Sequence, residues 1–288
     1  MECEASFISA GLRLSGTLQL PERIAGPAPA VVVCHGFGGN SRGADRAAFA
    51  SALAGAGHVT LRFDFRGCGK SEGEPGRVIC EEEVEDLRNA VSHLASLPEV
   101  DAKRIAVIGG SLGGSVAIQA TAEDARIRAC VANGAIGDGE RRFRFQYHGE
   151  GSWRAFLARL EAAREEHRRT GKAASIDRFD IVAIPAAHRA GLSPGARMQF
   201  HYETALSLLA FSPERVAGQI APRPLLLTHP RGDKVVPASE SEHLAKAAGP
   251  GCELRLFDGA DHFASGDTGL QQLVIDWLSR NLRSQEDF

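Results

Sequence analysis

The sequence has no run of eighteen apolar residues, no CxxC pair, no internal repeat and no large excess of either charge. The first absence excludes a membrane-spanning helix. The opening stretch Met1-Glu2-Cys3-Glu4-Ala5 has neither the basic segment nor the apolar core of a signal peptide, so a soluble, cytoplasmic protein is expected. Six cysteines (Cys3, Cys34, Cys68, Cys80, Cys130 and Cys252) show no clustering with histidine at metal-ligand spacing. Small buried thiols in a reducing compartment are the expectation, with no metal and no cofactor. A formal net charge of -3 leaves no electrostatic footprint for nucleic acid or an acidic membrane surface. A small, roughly neutral molecule is the expected partner, and a homodimer is compatible with the composition.

With 288 residues, 43% of them hydrophobic, the chain can bury a large core. One α/β domain carrying an insertion suits that length. Residues 4–9 and 12–20 alternate in character across Ala10-Gly11 and predict an opening hairpin. The runs 30–34, 58–65, 105–108 and 127–132 predict buried strands. Helices at 46–56, from Glu81, and 116–122 separate them, a pattern that makes a mainly parallel sheet covered on both faces. Between 138 and 215 no strand is convincing, far beyond the usual length of an α/β connection. Trp153, Phe156, Leu157 and Leu160 keep helical spacing there. We read 138–215 as a helical lid and 1–137 with 216–288 as the core, in which a strand at 223–228, a helix at 238–248, a strand at 253–257 and a helix at 268–282 resume the alternation. That last helix is expected to bury Leu270, Leu273, Val274, Trp277 and Leu278 on one face.

The chemistry centres on Gly109-Gly110-Ser111-Leu112-Gly113, where a strand pattern changes to a helix pattern across one serine. Such a turn forces the serine into a sparsely populated backbone conformation and presents its hydroxyl over a helix N-terminus. A GxSxG arises by chance, and glycine-rich turns also cradle phosphates. Here no Lys-Ser or Lys-Thr pair follows the glycines, and no acidic residue ends the next strand. A serine needs a histidine to take its proton, and the histidine a carboxylate to orient it. Asp233 follows the strand at Leu225 and His262 follows the strand at Leu254, so the order Ser111, Asp233, His262 is that of nucleophile-elbow hydrolases.

At these residues the chain resembles the α/β-hydrolase superfamily over nearly its whole length outside the lid. His35-Gly36-Phe37-Gly38-Gly39 looks like its oxyanion loop, the stretch from Arg62 to Ser71 like its long turn after the fourth strand, and Gly232-Asp233 to Val236-Pro237 like its acid loop. The motifs look closest to dienelactone-hydrolase-like and serine-aminopeptidase-like esterases. The resemblance implies a mainly parallel eight-stranded sheet with an inserted helical lid. It makes Ser111 the nucleophile, His262 the general base and then acid, and Asp233 its orienter, with the backbone N–H groups of Phe37 and Leu112 as the oxyanion hole. One departure is Pro230, where this branch commonly has glycine after the acid-loop histidine.

Other polar residues have simpler readings. His35 is expected to hydrogen-bond nearby backbone, Asp64 and Arg66 to hold their turn, and Asp261 to be an exposed carboxylate. Phe145, Tyr147, Trp153 and Phe156 are candidate walls of an acyl pocket. His148, His201, Tyr202 and Glu203 are weaker candidates, each better read as surface or packing. Residues 139–172 hold nine Lys or Arg against five Asp or Glu. A basic lid can steer an anionic substrate or a phosphopantetheine-type carrier, but much of the excess is the solvated face of the Trp153 helix.

The expected activity is hydrolysis of a small or medium carboxylic ester or thioester through an acyl-enzyme. The same triad also serves acyl transfer, aminopeptidase action, carbon–carbon hydrolysis or acyl elimination. A catalytically silent binding protein on this fold is the remaining class, which the intact Ser111, Asp233 and His262 disfavour.

Overall fold

A computed structural model describes residues 1–24, 26–192, 195–258, 262 and 267–283. The chain enters through a hairpin of β1 (Glu2–Ser9) and β2 (Leu12–Gln19), with Ser9 opposite Leu12. Ala10 and Gly11 take φ of 48° and 81°, the left-handed pair whose twist suits a two-residue hairpin turn. Strands and helices then alternate as β3 (Ala28–Cys34), α1 (Ala44–Gly55), β4 (Val59–Phe63), α2 (Cys80–Ala95), β5 (Val100–Gly110), α3 (Leu112–Glu123) and β6 (Ile127–Asn133). An insertion follows with α4 (Gly139–Gln146), α5 (Glu150–Thr170), β7 (Ser175–Asp177), α6 (Arg178–Ile181), β8 (Gln199–His201) and α7 (Tyr202–Ala210). The alternation resumes with β9 (Leu225–Pro230), α8 (Ser239–Ala248), β10 (Cys252–Phe257) and α9 (Thr268–Asn281).

Eight strands form one sheet in the order β1-β2-β4-β3-β5-β6-β9-β10, parallel from β4 to β10. The apolar runs are buried on both faces because successive side chains serve different layers. Val32, Val107 and Leu227 pack with α2, α3 and α8, whereas Val31, Val33, Ile108 and Val131 pack with α1 and α9. In α2, Val84, Leu87, Val91 and Leu94 keep helical spacing and are buried. In α9, Val274, Ile275, Trp277 and Leu278 are buried but Leu273 is 37% exposed, so it leaves the expected face. The helix is centred on Val274 and Leu278, and Leu273 falls at the margin of that stripe.

The secondary structure of the insertion departs from the sequence expectation. It holds a small antiparallel sheet, β7 with β8, pairing Ile176 with Phe200. Three-residue strands bury one side chain each, too few for an alternation to register in the sequence. No helix among the described residues is long and apolar enough to cross a membrane, and all six cysteines are free.

Candidate active site

Ser111 stands between β5 and α3 at φ 55° and ψ -129°, a conformation that costs an L residue on the order of 1–3 kcal/mol. Its neighbours hold it there. The Ser111 N–H donates to the Asn133 carbonyl at 2.8 Å, and its own carbonyl accepts from Gly114 N–H at 2.9 Å. The glycines are required by close approach: a Cβ on Gly109 would lie 2.1 Å from the Gly113 carbonyl oxygen, and one on Gly113 would lie 2.3 Å from that of His35. Strand, helix and the loop after β3 therefore meet within contact distance around one hydroxyl.

That loop passes directly over the serine, since a Cβ on Gly36 would lie 3.3 Å from Ser111 Cβ. His35 is fully buried, and burial pushes its pKa down to about 4. The neutral ring has one tautomer available: Nε2 accepts from Phe65 N–H at 3.1 Å, so Nδ1 carries the proton and donates to the Gly36 carbonyl at 2.8 Å. The Gly39 N–H donates to the same carbonyl at 3.0 Å. With that oxygen tied on one side, the trans peptide directs the Phe37 N–H the opposite way. Leu112 is the first residue of α3, where an N–H has no intrahelical carbonyl to meet.

Asp233 is buried in the loop after β9 and uses both carboxylate oxygens. Oδ1 accepts from Val235 and Val236 N–H at 2.8 and 3.0 Å, and Oδ2 accepts from His262 Nδ1 at 2.6 Å. Burial alone would raise its pKa, but hydrogen bonds from His229 and His262 outweigh burial and hold it well below the usual carboxylate range. Pro230 leaves this path intact, because it ends β9 and its carbonyl accepts from Asp233 N–H at 3.2 Å. Asp261 lies outside the described residues.

Sequence reasoning missed His229. It is fully buried in β9, with Nε2 3.0 Å from the Val236 carbonyl and 3.3 Å from Asp233 Oδ2. Two acceptors on one side require Nε2 to carry the proton, so Nδ1 accepts from Ser241 Oγ at 2.7 Å. A histidine ending the apolar run Leu225-Leu226-Leu227-Thr228, four residues before the aspartate, was the available signal.

Ser111, His262, Gly36, Phe37 and Asn133 line one cavity of about 160 Å³. Val33, Ile108 and Val131, with Phe49 of α1 and Val274 of α9, give it an apolar wall on one face of the sheet. From the insertion come Arg178, Val182, Ile184 and Leu192. The four aromatic residues expected as pocket walls are not among the described residues that line it. Trp153 and Phe156 are buried in the insertion's own core, where Phe156 stacks on Phe143 and Tyr147 with centroids 5.1 and 4.3 Å apart. Tyr147 Oη donates to the Asp180 carbonyl, and Phe145 is 49% exposed. Aromatic side chains in the insertion satisfy one another, leaving its aliphatic residues to face the serine. His148, His201, Tyr202 and Glu203 are likewise absent from that lining.

Two buried arginines tie the insertion to the loops that carry Phe37 and Asp233. Arg142 Nη2 donates to the Val235 carbonyl at 3.2 Å, and Arg178 Nη2 to the Phe37 carbonyl at 2.6 Å. Phe200 stacks on Phe37 with centroids 4.4 Å apart. Asp64 and Arg66 hold their turn as expected: Asp64 accepts from Ser41 and Lys70 N–H, and Arg66 forms a bidentate pair with Asp86.

Residues 25–268 match the family described as serine aminopeptidase, S33 (Hydrolase_4). The chain belongs to this S33 family. It is an enzyme of the α/β-hydrolase fold and of serine-hydrolase type. The S33-family chain is 28% identical over 238 residues to an uncharacterized 31.7 kDa protein of Escherichia coli, encoded between traX and finO, covering 81% of this chain and 82% of that one. Over 131 residues it is 34% identical to thiohydrolase aneE of Aspergillus aculeatus, a stretch that is 45% of this chain and 40% of that one. The crystal structure of hypothetical protein PA2218 from Pseudomonas aeruginosa superposes with a TM-score of 0.85 at 25% identity, covering 98% of this chain and 94% of the other.

Proposed function

We propose that this enzyme hydrolyses carboxylic esters or thioesters of small to medium acyl groups through an acyl-enzyme on Ser111. The observation that carries the reading is the His262 Nδ1 to Asp233 Oδ2 hydrogen bond of 2.6 Å, made by a histidine that lines the same cavity as Ser111. In this reading His262 Nε2 takes the Ser111 proton as Oγ attacks the carbonyl carbon. The oxyanion forms against the Phe37 and Leu112 N–H groups, each such donor stabilising the transition state by about 3–4 kcal/mol. His262 returns the proton to the departing alcohol or thiol, then takes one from water as its oxygen attacks the ester carbonyl of Ser111. Collapse releases the acid and restores the serine.

The partial likeness to a protein named a thiohydrolase favours including thioesters. Peptidase action on a free α-ammonium is the reading of the family's name, and the cavity argues against it. Its described lining contains Arg46 and Arg178 but no carboxylate to pair with an ammonium. The residues 138–215 serve in this reading as the lid of the acyl site. The test is labelling by a fluorophosphonate probe with ester, thioester and aminoacyl-anilide panels alongside. Wild type is expected to form the adduct on Ser111 and turn over esters and thioesters, while Ser111→Ala loses both. Labelling at another serine, or turnover of anilides alone, would overturn the assignment.

A further inference from the structure

The insertion places two guanidinium groups in the interior, and their electrostatic surroundings differ. Arg142 feels the negative charges of Asp233 and Glu240 and makes no contribution to the described cavity lining. Arg178 lines the cavity, is 4% exposed, and forms no ion pair with any described carboxylate. Its hydrogen bonds go to neutral carbonyls, those of Arg197 at 2.9 Å and Phe37 at 2.6 Å. Its flat faces meet the rings of Phe37 and Phe200, with the guanidinium carbon 5.1 and 5.8 Å from their centroids. Burial brings its pKa down to about 10, which leaves it charged at neutral pH, and the nearby Cys68 thiol is pushed well up and stays neutral. Two of five N–H groups are committed to carbonyls, and the buried Nε–H has no acceptor among the described residues.

A buried charge without a counter-charge is costly, and a cation in an apolar cavity strongly favours an anion beside it. We propose that Arg178 supplies the binding site for a carboxylate carried by the substrate, so that the preferred substrates are esters or thioesters with an anionic group close to the scissile carbonyl. The assignment rests on the serine-hydrolase reading of Ser111 and adds its substrate class. Position sets the chain length. Arg178 Nη2 bonds the carbonyl of the same residue whose N–H is the proposed oxyanion donor. Backbone geometry therefore puts Nη2 within roughly 6 Å of the Phe37 nitrogen. A carboxylate accepting from it at about 2.8 Å lies a few bonds from the reacting carbon, as in half-esters of short dicarboxylic acids.

The basic surface of α5 is not the source of this preference. Arg164, Arg168 and Arg169 pair there with Glu161, Glu165 and Glu166 in solvent, where such pairs contribute little.

The experiment compares mono-para-nitrophenyl glutarate with its methyl-blocked diester, and para-carboxyphenyl butyrate with phenyl butyrate, on wild type, Arg178→Gln and Arg178→Lys. Wild type is expected to prefer the free acid of at least one pair by about tenfold in kcat/KM, the scale of one charge-assisted hydrogen bond. Arg178→Gln removes that preference and Arg178→Lys keeps part of it. Preference within the first pair assigns the anion to the acyl group, and within the second to the leaving group. No preference in wild type, or one that survives Arg178→Gln, overturns the proposal and leaves Arg178 as a clamp on Phe37. Since that clamp makes Arg178→Gln vulnerable to misfolding, calorimetric binding of glutarate and dimethyl glutarate to Ser111→Ala provides an independent readout. Glutarate alone is expected to bind, and equal binding of the two overturns the anion site. Failure of wild type to form a fluorophosphonate adduct would instead remove the serine-hydrolase reading, whatever glutarate does.

Discussion

At the scale of the residue, the candidate triad is more than three side chains, because Asp233 receives hydrogen from two histidines. His262 approaches from the cavity, and His229 from within the sheet, where it is oriented in turn by Ser241. A carboxylate fixed by donors on every side cannot rotate, and the imidazole bonded to it is held in one tautomer. His229→Leu is expected to lower kcat roughly tenfold with KM nearly unchanged, while His229→Gln, which keeps one donor, retains most of the rate. Steady-state kinetics on para-nitrophenyl butyrate check this, and wild-type kcat in His229→Leu would remove the positioning role. The candidate serine, aspartate and the histidine of residue 262 stood out in the sequence because the proposed chemistry demands those residue types at strand ends in that order. His229 was not, since its use depends on which way one ring faces inside a strand.

At the scale of the element, strands came through the sequence well because β3, β5, β6 and β9 each carry a short apolar run buried on both faces of the sheet, as at Ile105 to Ile108 and Ala129 to Ala132. The insertion came through poorly in its contacts. Its aromatic spacing correctly marks α5, but spacing cannot say whether Trp153 and Phe156 face the serine or their own helices. What anchors the insertion is polar and lies far apart in sequence. Glu240 of α8 is fully buried and accepts from Gly137 and Asp138 N–H at 2.9 and 3.0 Å and from Arg141 Nε at 2.6 Å. Arg141 also binds Glu214 at 2.7 Å, so one arginine ties the start of the insertion to its end and to α8. Removing the Glu240 carboxylate takes one of two counter-charges from a partly exposed Arg141 and frees two backbone donors at once. Glu240→Ala is expected to lower unfolding stability by about 2–4 kcal/mol in urea titration, and a loss below about 1 kcal/mol would contradict the anchoring role.

At the scale of the whole molecule, the interior holds histidines whose neutrality ties stability to pH. Burial pushes the pKa of both His35 and His58 down from 6.5 to about 4. Between those values the unfolded chain binds more protons than the folded one, so stability rises with pH across the window and their contribution is constant above it. For His35, nearly sealed from solvent, the loss on acidification through the window is on the order of 3 kcal/mol. Asp233 acts in the same direction but lower, where ordinary carboxylates take up protons. The two histidines differ in what neutrality achieves. His35 uses both ring nitrogens to shape the loop over Ser111, whereas His58, just before β4, has no hydrogen-bond partner for either ring nitrogen among the described residues. An orphaned buried ring is a cost that an apolar side chain avoids. His58→Leu is therefore expected to stabilise the fold by about 1 kcal/mol at neutral pH and by more at pH near 5. Urea titrations of wild type and variant at both pH values decide it: a gain that does not grow on acidification would mean that His58 is not the buried proton-excluding group that its surroundings imply.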